Sequence, residues 1–139
     1  MRNLVLLFAL VVLTSVNGQQ QLIIDVQLNK PTAGGMLNLV LCPTADSYAS
    51  EKGCRLVQVK AEGSVVRIVL NDVAPGTYAI KAFHDIDRNG KLDTNFMGIP
   101  KEPYGFSNDA MGTFGPPSFE QAAFKVGTGT STARFKMKG

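Results

Sequence analysis

The chain has 139 residues, 45% of them hydrophobic and 18% charged, with 14 basic against 11 acidic side chains. That length carries one domain around one core and is short for two. A net charge of +3 is no argument for a nucleic-acid partner, and none is expected.

Residues 1–18 read as a secretory signal peptide. Arg2 precedes an apolar run from Leu4 to Leu13, and small or polar residues follow, with Val16 and Gly18 placed for cleavage before Gln19. A membrane anchor needs about 20 apolar residues, more than this run supplies. The remaining chain, 19–139, is expected to be a single domain without a transmembrane segment, secreted or periplasmic.

From Gln21 the apolar residues recur at every second position, the period of a half-buried strand. In "QLIIDVQL" Leu22, Ile24, Val26 and Leu28 share one face; in "GGMLNLVLC" Leu37, Leu39 and Leu41 do so. A polar stretch, "PTADSYASEKG", then separates Cys42 from Cys54, the two cysteines of the chain. In an oxidising compartment they are expected to pair, closing a loop between two strands. Two thiolates so spaced, with the lone His84 elsewhere, do not make a zinc site.

Three more strands follow: "RLVQVKA" with Val57, Val59 and Ala61 on one side, "SVVRIVL" with Val66, Ile68 and Leu70, and "GTYAIKAF" with Tyr78, Ile80 and Ala82. Gly34–Gly35, Glu62–Gly63, Asn71–Asp72 and Pro75–Gly76 mark turns between them. Two strands end the chain, "AAFKV" and "TARFKM", the latter turning Ala133, Phe135 and Met137 away from Arg134, Lys136 and Lys138. About seven short strands at this spacing predict an all-β fold, a two-sheet antiparallel sandwich. Its core is expected to include Leu22, Ile24, Val26, Leu39, Val57, Ile68, Tyr78, Ile80, Phe124 and Phe135.

Residues 84–121 show no regular period, which in a compact domain points to a functional element. Five glycines, four prolines and the rings of Phe96, Tyr104, Phe106, Phe114 and Phe119 suit an ordered loop better than a disordered linker. Ordering so long a segment costs entropy, and something must hold it.

The stretch "HDIDRNGKLD", His84 to Asp93, offers that hold. Aligned to a calcium loop, Asp85, Asp87 and Asn89 take positions one, three and five, Gly90 the sharp turn at six, Lys91 the carbonyl ligand at seven, and Asp93 position nine. Hard carboxylate, amide and carbonyl oxygens are what Ca²⁺ takes. Position twelve is Phe96 where an EF-hand has a bidentate glutamate, and the entering segment is a strand. The missing ligand would come from Glu102, from a carbonyl of the long loop, or from water. The competing reading is an Asx-rich turn that binds nothing. A site so composed should be weak, with Kd near ~10⁻⁴ to 10⁻³ M.

The segments "APGTYAIKAFHDIDRNGKLD", "GIPKEPYGFS" and "PPSFE", in this order, resemble the central signature of the DUF2141 family of exported bacterial proteins. The likeness covers nearly all of the chain after the signal and reaches, more loosely, the prealbumin-like repeats of surface adhesins. It implies an immunoglobulin-like or prealbumin-like sandwich. It implies no activity and no catalytic residue.

Three function classes follow. One is a binding or accessory module whose calcium-held loop presents Tyr104, Phe106 and Phe114, with His84 nearby, to an envelope protein or a glycan. Another is a purely structural envelope protein. The least supported is a hydrolase using His84 with Ser107 or Asp109, since "GFSND" is not a Gly-x-Ser-x-Gly elbow.

Overall fold

The computed structural model describes residues 20–139; the expected signal peptide lies outside the described residues. Eight strands build two sheets: β1 (Gln21–Gln27), β2 (Met36–Cys42), β3 (Arg55–Lys60), β4 (Val65–Asn71), β5 (Gly76–Asp85), β6 (Tyr104–Phe106), β7 (Phe124–Val126) and β8 (Thr130–Lys136). One sheet has the order β4-β1-β8, the other β3-β2-β5-β6, with β7 also paired to β5. The fold is thus the all-β sandwich that the alternation predicts.

One pairing departs from the antiparallel rule: β1 and β8 run parallel, while β1 and β4 are antiparallel. Their register stacks apolar residues in rows, Ile68–Ile24–Ala133 and Val66–Val26–Phe135. All of these are buried, together with Leu22, Leu37, Leu39, Leu41 and Ile80 from the two inner faces. Each such aliphatic side chain contributes about 1.5–3 kcal/mol on leaving water. Val57, Tyr78 and Phe124, also expected in the core, are partly buried and pack against it.

On the outer face of the three-stranded sheet, Asp25 stands in register with Arg67 and Arg134. Arg67 donates to both carboxylate oxygens at 2.8 and 2.9 Å, and Arg134 lies 3.7 Å from Oδ2. The hydrogen bonds from Arg67 hold the Asp25 carboxyl below its usual range.

The five-stranded sheet is covered on both faces. On its outer face Cys42 and Ala79 form a second cluster with Tyr48 and Ala122, which come from the two short helices that roof it, α1 (Ala45–Ser50) and α2 (Phe119–Ala122). Sequence periodicity missed both, because one or two turns carry too few residues for a period of 3.6 to emerge. Their caps were legible: Thr44 Oγ1 accepts from the Ser47 N–H and Ser118 Oγ from the Gln121 N–H, each closing a capping box. The stretch expected as a loop between the cysteines is therefore largely α1. The Cys42–Cys54 disulfide is present and pins that segment to β2.

The segment 84–121 is not one loop. His84 and Asp85 end β5, and the chain then returns to the same strand as β6, with Tyr104 opposite Phe83 and Phe106 opposite Lys81. A 3-10 turn (Ser107–Asp109) follows, and α2 ends the segment. Buried Ser107 fixes this return: its Oγ accepts from the Ile80 N–H at 2.9 Å and donates to the Ala122 carbonyl at 2.5 Å. Gly105 belongs there for steric reasons, since a Cβ would lie 2.8 Å from the Lys136 carbonyl oxygen and 3.2 Å from the Phe135 ring. Tyr104 also exchanges backbone hydrogen bonds with Lys138, at 2.8 and 2.7 Å, so β6 links the edges of the two sheets.

Candidate metal centre

The pairing of β2 with β5 sets two ends apart: Asp85 faces Met36 at one end, and Ala79 faces Cys42 at the other. The acidic stretch leaves β5 at the first end, far from the disulfide in register. Asp85 is fully buried and organises the turn beyond it. Its Oδ1 accepts from the Asn89 N–H at 3.1 Å, and its Oδ2 accepts from the Gly90 N–H at 2.8 Å. Gly90 sits at φ +78°, a left-handed conformation that residues with a Cβ adopt at a cost. Asn38 of β2 donates to Asp85 Oδ2 from the side at 3.4 Å. Asn38 is a residue the sequence reading missed, although a buried asparagine within the apolar "MLNLVLC" was a signal that something polar faces it.

Glu102 arrives from the other end of the segment. It is buried, with Oε1 accepting from the Ile86 N–H at 3.0 Å and Oε2 from the Asp93 N–H at 3.3 Å. Asp85, Asp87 and Glu102 each bring one carboxylate oxygen to within 4.8 Å of the others. Asp87 also meets a further carboxylate of the turn, Asp93. Its pKa is pushed up to about 6, first by a hydrogen bond shared with Asp93, then by desolvation and by Asp85. Asp93 moves the opposite way, held low by Asp87 and by Asn89, with Lys101 and Lys91 also near.

The donor set suits a hard divalent cation: all its atoms are oxygens, and two of the three groups are buried carboxyls. The other expected ligands lie around the three. Asn89 Oδ1 accepts from the Lys91 N–H at 2.9 Å, while Nδ2 donates to Asp87 at 3.2 Å and to Asp93 at 2.7 Å. Ligation through Asn89 thus requires its amide to turn over, which exchanges two groups of nearly equal size.

The residues expected to face a ligand separate. His84 does not face outward: it is fully buried, donates from Nε2 to the Gly34 carbonyl at 2.5 Å, and has no partner at Nδ1 among the described residues. Strand alternation puts its side chain on the face opposite that of Asp85. Tyr104 and Phe106 are half-buried and meet edge to face, their centroids 6.1 Å apart. Phe114 is fully exposed. So is Phe96, at the position where an EF-hand would place its glutamate.

No curated protein and no solved structure matches the chain. A family model described as an uncharacterized protein conserved in bacteria, DUF2141, matches residues 25–134. That span runs from the middle of β1 into β8 and takes in both sheets and the acidic cluster. The chain belongs to the DUF2141 family.

Proposed function

We propose that the protein is an exported binding module whose segment 84–121 is fastened by Ca²⁺ held among Asp85, Asp87 and Glu102. Asn89, Asp93 and the Lys91 carbonyl are the further oxygens available to it. The observation that carries this reading is the convergence of three carboxylates, one of them seventeen residues beyond the first, at the point where the segment leaves β5 and rejoins it. A cation there would replace mutual repulsion by attraction and tie both ends of the segment together. Export is supported by the N-terminal apolar run and by the disulfide. The partner class is an envelope component, protein or glycan.

A purely structural role is the second reading, favoured by the half-burial of Tyr104 and Phe106, which keeps those rings from full contact with a partner. The exposed Phe96 and Phe114 favour binding. Calorimetric titration with Ca²⁺ tests the calcium reading. The wild type should give a one-site heat and Glu102→Gln a weaker one; a flat wild-type titration up to millimolar Ca²⁺ would refute it.

A further inference from the structure

Directly beyond the acidic cluster the chain forms a small hairpin, Asp93 to Lys101. Lys101 N–H donates to the Asp93 carbonyl at 2.7 Å, Thr94 bridges Pro100, and Asn95 N–H donates to the Ile99 carbonyl at 2.9 Å. At the tip, Asn95 Oδ1 accepts from the Met97 and Ile99 N–H groups at 2.9 and 3.0 Å, and Gly98 N–H donates to the Asn95 carbonyl at 2.9 Å. This turn is therefore held in one shape while its side chains point out. Phe96 is 98% exposed, Met97 69% and Ile99 54%.

Three large apolar side chains on one ordered turn are not the scattered exposure of an ordinary surface. The tip has no charge from Thr94 to Pro100. The N–H groups of Asn95, Met97, Gly98 and Ile99 all have partners inside the hairpin, and Pro100 has none to satisfy. Most of its backbone can thus leave water without the cost of orphaned donors. Lys91 and Lys101 stand beside the base near Asp93, and Arg88 lies in the turn that leads into it; all three are exposed and, among the described residues, without an acidic partner within ion-pair distance.

We propose that the hairpin Asp93–Lys101 is a membrane-docking finger that inserts Phe96, Met97 and Ile99 into the interface of an anionic lipid bilayer, with Arg88, Lys91 and Lys101 against the headgroups. An uncharged projecting tip over a cationic base matches the two layers of such a surface, apolar below and anionic above. A glycan would call for outward polar donors, which the tip lacks. The proposal rests on the calcium reading in one respect: Asp85, Asp87, Asp93 and Glu102 lie at the same base and would repel anionic headgroups unless a cation offset them. Docking is thus calcium-dependent and weakens with salt.

The test is co-sedimentation of the disulfide-intact protein with phosphatidylglycerol–phosphatidylethanolamine vesicles and with phosphatidylcholine vesicles, each in Ca²⁺ and in chelator. Binding should favour the anionic vesicles in Ca²⁺ by about ten-fold, as expected of combined apolar and electrostatic attachment. The double change Phe96→Asp with Met97→Asp, at positions too exposed to affect folding, should abolish it. Because the chain has no tryptophan, Phe96→Trp gives a single emission that should shift to the blue on the anionic vesicles and be quenched by brominated lipid. Absence of sedimentation with phosphatidylglycerol, or equal sedimentation of the double variant, overturns the proposal and leaves a protein groove as the occupant of the tip. Calcium calorimetry without lipid then separates the two ideas. A heat without vesicle binding removes the lipid proposal alone, and the absence of both removes the calcium reading as well.

Discussion

Glu102 Oε1 accepts the N–H of Ile86 at 3.0 Å, joining two residues sixteen positions apart. With Oε2 on the Asp93 N–H, one buried side chain holds both the exit of β5 and the stem of the hairpin. Glu102→Ala leaves two N–H groups without an acceptor, which should cost about 1–3 kcal/mol. Glu102→Gln keeps one acceptor and should cost less. Urea unfolding of the two variants checks the order, and amide exchange at Ile86 and Asp93 should accelerate before that of β1.

The carboxylate cluster should make metal-free stability and calcium affinity depend on pH in opposite directions. Asp87 has a folded-state pKa of about 6 against 3.8 for the free group. Between those values the folded protein binds more protons than the unfolded chain, so in chelator this residue's contribution to stability declines as pH rises and is flat above about 6. Asp93, shifted down by Asp87 and Asn89, contributes stability that is present above 3.8 and lost as pH falls, partly offsetting Asp87 at the acid end. Ca²⁺ bound at the cluster would displace the proton from Asp87, so its affinity should increase from pH 5 to pH 7. Titrations at the two pH values in buffers of different ionisation heat would reveal the released proton.

The disulfide should act locally. Replacing Cys42 and Cys54 together by alanine removes a cross-link over 12 positions and should cost about 3 kcal/mol in the chain-entropy model. Exchange protection should fall mainly over α1. The acidic cluster lies at the other end of β5, so the calcium titration of this variant should be unchanged.

Asp25→Ala should lower stability by about 1 kcal/mol, because its two arginine partners are largely exposed and screened. The wild-type pKa is depressed mainly by Arg67. Its contribution is therefore full above the free-carboxylate value of 3.8 and disappears as pH falls through the folded value. Wild type and variant should have converging melting temperatures in acid.

Strand alternation made the sandwich readable because a period of two survives in seven residues: Leu22, Ile24 and Val26 declare their face without any partner. The parallel pairing of β8 with β1 leaves no such mark, since it depends on where the chain goes after β7. The turn from Asp85 to Asp93 was legible in the spacing of its oxygens and Gly90. Glu102 could only be one option among several for the remaining ligand, because its approach is set by the pairing of Tyr104 with Phe83, a contact between distant residues. His84, the chain's lone histidine, continues the alternation of Ile80 and Ala82 by one step, which puts it on their face, and there it is buried. The hairpin tip was hidden by its own composition: Phe96 read as one of five rings of an ordered loop, Met97 and Ile99 drew no reading, and only their exposure distinguishes the three from core residues.

Thermal melting in chelator, in Mg²⁺ and in Ca²⁺ puts the calcium-fastened segment to the most direct test. A cation that binds only the folded state stabilises by RT ln(1 + [L]/Kd), about 1.4 kcal/mol at ten-fold excess over Kd. The wild type should therefore melt higher in Ca²⁺ than in chelator, and Mg²⁺, which demands a regular octahedron, should give little of that gain. Asp87→Ala should show almost none, while Asp72→Ala should respond as the wild type does. A wild type with one melting temperature in all three conditions would contradict the account and leave Asp85, Asp87 and Glu102 as a hydrogen-bonded turn.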